Sequence, residues 1–350
     1  MSIEIVLYPP SVTRSSLCDH LRTSNFQPTK HLWNWPAGSK HFHWFEPVDY
    51  TSFDGVEATV YLTSEKERKN FSQSTWALHT RTRASASIGD KNKQNEVIRS
   101  ARRRFGGSFT NDWYGTNRYT PIGPDPRDAV ARGIYLSYEY VSERISAVKY
   151  ALPEPNETFE KLAETDLEPL SRLDPARVVY NALVPFAVAA LEHFFSNSFK
   201  ILLQYDKNAQ TNLLDQNRKV DIANVVAIRD GSKSLEDIVA NWYSFQSIAG
   251  IHKAYNEWLN VDVWSILRKR KRLGDRLPRL EDELTRLIEF RHGVVHRFDL
   301  NLRLRKDSSE EIFDLVALVI DEFTGHLESL RGIPIRDATI FDTRTRAGKD

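Results

Sequence analysis

Three residues of types suited to phosphodiester chemistry fall together in the run Arg291-His292-Gly293-Val294-Val295-His296. Arginine stays protonated at any working pH, and its planar fork matches phosphate oxygens. Histidine can take a proton and give it back near neutrality. In RNA that set suffices for strand cleavage. A base removes the 2′-hydroxyl proton, the oxygen attacks the adjacent phosphorus, and a fixed cation stabilises charge gathering on the equatorial oxygens. Neither a metal nor another cofactor is called for by these groups. One Arg–His pair supplies one cation and one base, so a symmetric homodimer that brings two such helices together would complete the acid–base set.

The element that must position these residues is a helix expected from Pro278 to about Phe298. Its apolar stripe reads Leu284, Ile288, then Val295 and Phe298, and the slot between them falls on Arg291. Burying an unpaired guanidinium costs several kcal/mol, so Arg291 should meet a carboxylate, a subunit boundary or an anionic ligand. Gly293 inside the same helix costs about 1 kcal/mol against alanine, and His292 and His296 flank the stripe one turn apart. Glu192, alone among apolar residues in AVAALEHFF, is a candidate partner that would orient Arg291, unless it faces water.

The Arg-x4-His spacing from Arg291 to His296 resembles the signature of the HEPN ribonucleases, in which a polar residue, here His292, commonly follows the arginine. The context is similar too: Glu192 in ALEHFF, the run FQSIAGIHKAYNEWL at 245 to 259, the Val261-Asp262 segment and then LIEFRHGVVH resemble the order of features in the bacterial RiboL-PSP-HEPN-like branch. This resemblance spans roughly residues 175 to 330. It implies Arg291 and His296 as catalytic residues, His292 as their polar neighbour, a dimeric cleft, and metal-independent cleavage of RNA to a 2′,3′-cyclic phosphate. Proteins of this kind are often toxins or antiphage effectors. The chain departs from the resemblance at Phe298-Asp299, where a small or glycine-bearing turn is expected.

Around that helix the sequence reads as an α+β protein. The first 120 or so residues alternate in short strand-like runs, Glu57 to Thr63 and Trp76 to Ser85, with a helix from Asp90 to Phe105 stopped by Gly106-Gly107. Residues 1–151 form the expected N-terminal domain, a site of sensing or recruitment where an activating or inhibiting partner would enter. The segment LPEPNE at 152 to 157 reads as a linker. Residues 158–332 form an all-α bundle. Within it, a long apolar helix opens at Asp174-Pro175, a continuous helix runs from Leu235 to Leu259, and the last helix is capped by Ser308 with Glu311. Residues 333–350 form a loose tail.

Composition bounds the rest. With 48 Lys and Arg against 47 Asp and Glu, the net charge is +1, so an anionic partner must be met by a local patch. One such patch is Arg268, Lys269, Arg270, Lys271 and Arg272, followed by Arg276. A second lies between residues 79 and 104, with Arg81 and Arg83 on a strand and Arg102, Arg103 and Arg104 on a helix. Either could hold RNA by phosphate attraction or be a solvated surface. A single cysteine, Cys18, excludes a disulfide framework and fits a cytoplasmic location, and no run approaches 18 consecutive apolar residues, so no membrane is expected. Two other readings remain at this stage. The bundle could be a non-catalytic dimerisation or RNA-binding module, or Glu289, His292 and His296, at i, i+3 and i+7, could hold a metal.

Overall fold

The computed structural model describes residues 2–30, 35–71, 74–163, 170, 172–215 and 219–336. The chain is α+β: an antiparallel sheet with helices, followed by a mostly helical region. It divides into two compact units between Arg132 and Gly133.

The first unit is built on a seven-stranded antiparallel sheet in the order β2-β3-β4-β5-β1-β6-β7. Its strands are β1 (Ser2–Tyr8), β2 (Gln27–Pro28), β3 (Lys40–Trp44), β4 (Val56–Leu62), β5 (Trp76–Arg83), β6 (Ser108–Asn111) and β7 (Gly115–Thr116). Alternation decides the faces. Ile5 and Leu7 of β1, Val56, Ala58 and Val60 of β4, Leu78 of β5 and Phe109 of β6 point to one side. There they pack with Leu17, Cys18 and Leu21 of α1 (Arg14–Thr23) and Val97, Ile98 and Ala101 of α3 (Ile88–Phe105). The Ser87–Asp90 capping box starts α3, and Gly106, at φ +73°, ends it as expected.

The opposite face carries a smaller cluster of Tyr8, Tyr61 and Ala77, with Val6, Trp35 and Phe71 packed against it. Both phenols, of Tyr8 and Tyr61, donate to Glu67 Oε1 at 3.2 and 2.6 Å, on α2 (Glu65–Asn70). Arg81 lies on this face between Glu4 and Glu57, at 3.7 and 3.9 Å, and Arg83 meets Asp54 at 3.4 Å. The arginines at the end of α3 therefore belong to the other side of the sheet, and the patch expected from residues 79 to 104 is not one surface.

The division of the chain falls inside α4 (Ala129–Tyr150) and not at the Leu152–Glu157 segment. From Gly133 onward this helix is tied to the C-terminal unit, through Tyr138 donating to Asp321 at 3.3 Å and Lys149 pairing with Asp314.

In the second unit, α5 (Glu157–Ala163) precedes the central helix α6 (Pro175–Tyr205), whose N-cap Asp174 accepts from Ala176 N–H. Pro185 sits inside α6, and the helix runs on past it. α6 is the one helix among the described residues long and apolar enough to cross a membrane. Here Tyr180, Val184, Ala187, Val188, Phe194, Phe195 and Phe199 are buried among the other helices. Two shorter helices follow, α7 (Lys207–Asp215) and α8 (Ile222–Arg229).

The continuous helix expected from Leu235 to Leu259 is instead two, α9 (Leu235–Ala240) and α10 (Ile248–Leu259). Ser247 accepts from Gly250 N–H and caps α10 afresh, and a Cβ on Gly250 would strike the Ser244 carbonyl. The aromatic residues around this break form core, as their spacing suggests. Phe245, Tyr255 and Trp258 are buried, and the Tyr255 hydroxyl donates to Phe195 O at 2.7 Å.

After α11 (Val263–Leu267) come α12 (Leu280–Arg297) and α13 (Lys306–Arg331). The Ser308–Glu311 cap is also corrected. The N-cap of α13 is Arg305, with no side-chain hydrogen bond, and both residues lie inside the helix. Residues 333–336 are not loose: Ile335 is buried and Arg336 is bonded to Glu328. The remainder of the expected tail lies outside the described residues.

Candidate active site

All three chemistry-bearing residues sit in the last two turns of α12. The buried line of that helix is Leu280, Leu284, Leu287 and Gly293, with Ile288, Arg291 and Val294 half-buried. Arg291 occupies the slot four residues after Leu287, so the stripe does reach it. Beyond it the stripe differs from the expectation, since Val295 is 46% exposed and Phe298 81% exposed. The end of α12 presents its side chains outward instead of closing over a core.

Arg291 makes no hydrogen bond or ion pair among the described residues. Glu192, its expected partner, is engaged elsewhere: its Oε1 accepts from Gln246 Nε2 at 3.3 Å, in the turn before α10. His292 and His296 are both exposed, and their rings stand 4.6 Å apart at an interplanar angle of 46°. Helical geometry sets Arg291 and His296 about 7.5 Å apart along the axis and roughly 140° apart around it. A phosphate held by Arg291 would therefore need its proton carrier to reach around the helix end or to come from a second copy.

Gly293 has a local reason. The chain leaving α12 folds back over it, with the N–H groups of Phe298 and Asp299 both donating to Gly293 O. A Cβ at 293 would lie 3.2 Å from Arg297 Nη2 and 3.6 Å from Asp299 Oδ2. The helix-breaking residue thus makes room for the exit turn. The glycine that such a turn would ordinarily carry at its own left-handed position is absent, and Phe298 takes that position at φ +55°.

Two residues that the sequence reading passed over fix this exit. Asn181 of α6 is fully buried. Its Nδ2 donates to Arg177 O at 2.7 Å and to Asn301 O at 3.0 Å, while its Oδ1 accepts from Asn301 N–H at 2.8 Å. Arg177, one turn earlier, donates to Leu302 O. The signal was available, because Asn181 interrupts the apolar run VVYNALV just as Arg291 interrupts its own stripe.

The run 268–272 is placed at the other end of α12. Arg268 pairs with Glu281 at 3.3 Å and Lys271 with Glu322 at 2.6 Å, while Arg276 bridges Glu283 and Glu311. Acids on α12 and α13 thus offset two of the five charges in the run, Arg268 and Lys271. Within the stretch 297–306, Arg297, Arg303, Arg305 and Lys306 stand against the single acid Asp299, and Lys306 pairs with Glu154 and Glu310.

Turn chemistry accounts for the Gly- and Asn-rich segment 106–119. Asn111 Oδ1 accepts from Trp113 and Tyr114 N–H, and Asn117, at φ +57°, closes the β6–β7 connection. Glu289, His292 and His296 do not assemble as ligands, and no group of three or more His, Cys, Asp or Glu side chains among the described residues is placed to hold a metal. No protein-family model, curated protein or solved structure matches the chain.

Proposed function

We propose that the C-terminal helical unit is a metal-independent endoribonuclease of the HEPN type, active as a homodimer and serving as a cytoplasmic toxin or antiphage effector. The observation that carries this reading is Arg291: a half-buried arginine on an apolar stripe, without a partner among the described residues, on a helix end that also carries two exposed imidazoles. A permanent cation left in that state is suited to an anion that arrives from outside.

In the proposed reaction Arg291 holds the scissile phosphate and stabilises its equatorial oxygens. His296 takes the 2′-hydroxyl proton, O2′ bonds to phosphorus, the P–O5′ bond breaks, and the departing O5′ receives a proton from the imidazole of the second copy. The products are a 2′,3′-cyclic phosphate and a 5′-hydroxyl. Val178, Val179 and Phe186 on the exposed side of α6, with Val295 on α12, offer apolar surface for the pairing of copies. The N-terminal unit is proposed as the place where an activating or inhibiting partner acts.

The test is cleavage of RNA by the purified full-length chain in EDTA, with product ends mapped, alongside Arg291→Ala and His296→Ala. Cyclic-phosphate ends from the wild type, and losses of at least about 100-fold in both variants while they stay folded and dimeric, are expected. RNA binding without cleavage, in extracts from infected cells as well as in buffer, would favour a non-catalytic binding module.

A further inference from the structure

Phe298 is the residue of this helix end that neither folding nor cleavage explains. It occupies the left-handed position at the C-terminus of α12, at φ +55°, where any side chain is disfavoured and glycine is the ordinary choice. Burial does not offset that cost, because the ring is 81% exposed. Nor does the backbone beneath it belong to a free loop. Its own N–H is bonded to Gly293 O, and three residues on, Asn301 is clasped by Asn181. A large aromatic ring is thus presented to solvent on a fixed turn, two residues past His296.

From this geometry we infer that Phe298 is a stacking platform for a nucleobase next to the scissile phosphate, and that the substrate is single-stranded RNA. The inference rests on the ribonuclease reading for the position of the phosphate. Aromatic faces bind unpaired bases with little sequence preference, whereas A-form duplexes keep base faces stacked within the helix. Charge favours the same ligand. From Arg297 to Arg305 the chain carries three basic residues and one acid, ahead of Lys306, which pairs with Glu154 and Glu310, so a strand stacked on the ring would meet cationic groups suited to its phosphates.

The test uses the full-length chain carrying His296→Ala, so that binding is read without cleavage, and a short fluorescein-labelled single-stranded RNA followed by anisotropy. Phe298→Ala and Phe298→Gly should weaken binding by roughly 5- to 150-fold, the range of one base–aromatic stack. Phe298→Trp should bind within about 3-fold of its parent, since it keeps a π-face. RNA carrying 2-aminopurine should be quenched by the parent and not by the alanine variant, and a blunt RNA duplex should show no dependence on residue 298. Phe298→Gly should melt no lower than its parent, because glycine relieves the left-handed strain. Unchanged affinity in Phe298→Ala would overturn the inference, and so would conversion of the dimer to monomer by that substitution, which would make Phe298 a subunit contact. If the chain with His296 restored cuts no RNA while binding still depends on Phe298, the nuclease reading falls and the stacking site stands.

Discussion

Asn181 and Asn301 clasp each other across two hydrogen bonds, the side-chain amide of one against the backbone N–H and C=O of the other, at 2.8 and 3.0 Å. The amide imitates a β-ladder rung and ties the exit of α12 to the middle of the first half of α6. Replacing it should matter in two ways. Asn181→Ala removes the partners of Asn301 and a donor to Arg177 O, at a cost of about 1–3 kcal/mol in urea unfolding. Asn181→Asp should cost more, since a buried carboxylate would face the carbonyls of Arg177 and Asn301 in place of a donor. Both should also lower RNA cleavage at temperatures where the protein remains folded. A variant with unchanged activity would show that the exit turn need not be held.

Arg291 separates stability from activity. Its side chain lies on the half-buried stripe without a partner among the described residues, so Arg291→Met exchanges an unpaired charge on that stripe for an apolar chain of similar length. The expected result is a thermal midpoint equal to or above the wild type, with up to about 1 kcal/mol gained, and cleavage reduced by at least about 100-fold. Arg291→Lys should also be impaired, because an ammonium cannot hold two phosphate oxygens in a fork. His296→Ala should lose about 10²- to 10⁴-fold. His292→Ala should lose less, because the proposed reaction gives His292 no proton to move and its ring only touches that of His296. Unfolding of Arg291→Met would instead mark the guanidinium as part of a structural pair.

The main elements of both halves were legible in the sequence, because alternation and helical period depend on local spacing. Strands β4 and β5 and helices α3 and α12 lie within a few residues of where the pattern sets them. What escaped depends on local turn geometry and on contacts between elements. The break between α9 and α10 arises from the close approach of Gly250 to the Ser244 carbonyl, and the start of α13 lies before the residues that looked like its cap. At the site, Arg291 was visible as a charge on an apolar stripe. The partner assigned to it was not, because which way Glu192 points depends on Gln246, 54 residues away. In the basic run 268–272, spacing alone did not show that Arg268 and Lys271 pair with acids on α12 and α13.

That run yields a prediction in salt. Each phosphate contact to single-stranded nucleic acid contributes a slope of about −0.7 to log K against log salt. Arg268 and Lys271 already face Glu281 and Glu322, so Arg268→Gln and Lys271→Gln should leave the slope for single-stranded RNA nearly unchanged. Arg297→Gln and Arg305→Gln should each reduce it by about 0.7. Titration of labelled RNA binding over a range of potassium chloride concentrations reads both. The reverse ranking would return the RNA path to the N-terminal end of α12.

Acid should release the chain after α13 before it unfolds the core. Glu328 accepts four hydrogen bonds, from Ile335 N–H at 2.8 Å, Arg336 N–H at 2.7 Å, and Arg336 Nε and Nη2 at 3.1 and 2.7 Å. Burial pushes its carboxyl up, but the bonds from Arg336 and Ile335 outweigh that and hold it below the ordinary value of 4.5. The folded state therefore binds this proton less readily than the unfolded state. The stabilisation is fully present above pH 4.5 and is lost as pH falls through the lower folded value. Between neutral pH and about pH 3 this should weaken the hold on the segment, seen as faster hydrogen exchange at the Ile335 and Arg336 amides. Glu328→Gln should exchange fast at neutral pH and show a flatter acid limb. Gly325→Ala should have a related effect without changing charge, because a Cβ there would lie 2.8 Å from Arg336 Nη2 and push the guanidinium off Glu328. Protection that persists at pH 3 in the wild type would mean that Ile335, buried against the bundle, holds the segment without help from the carboxylate.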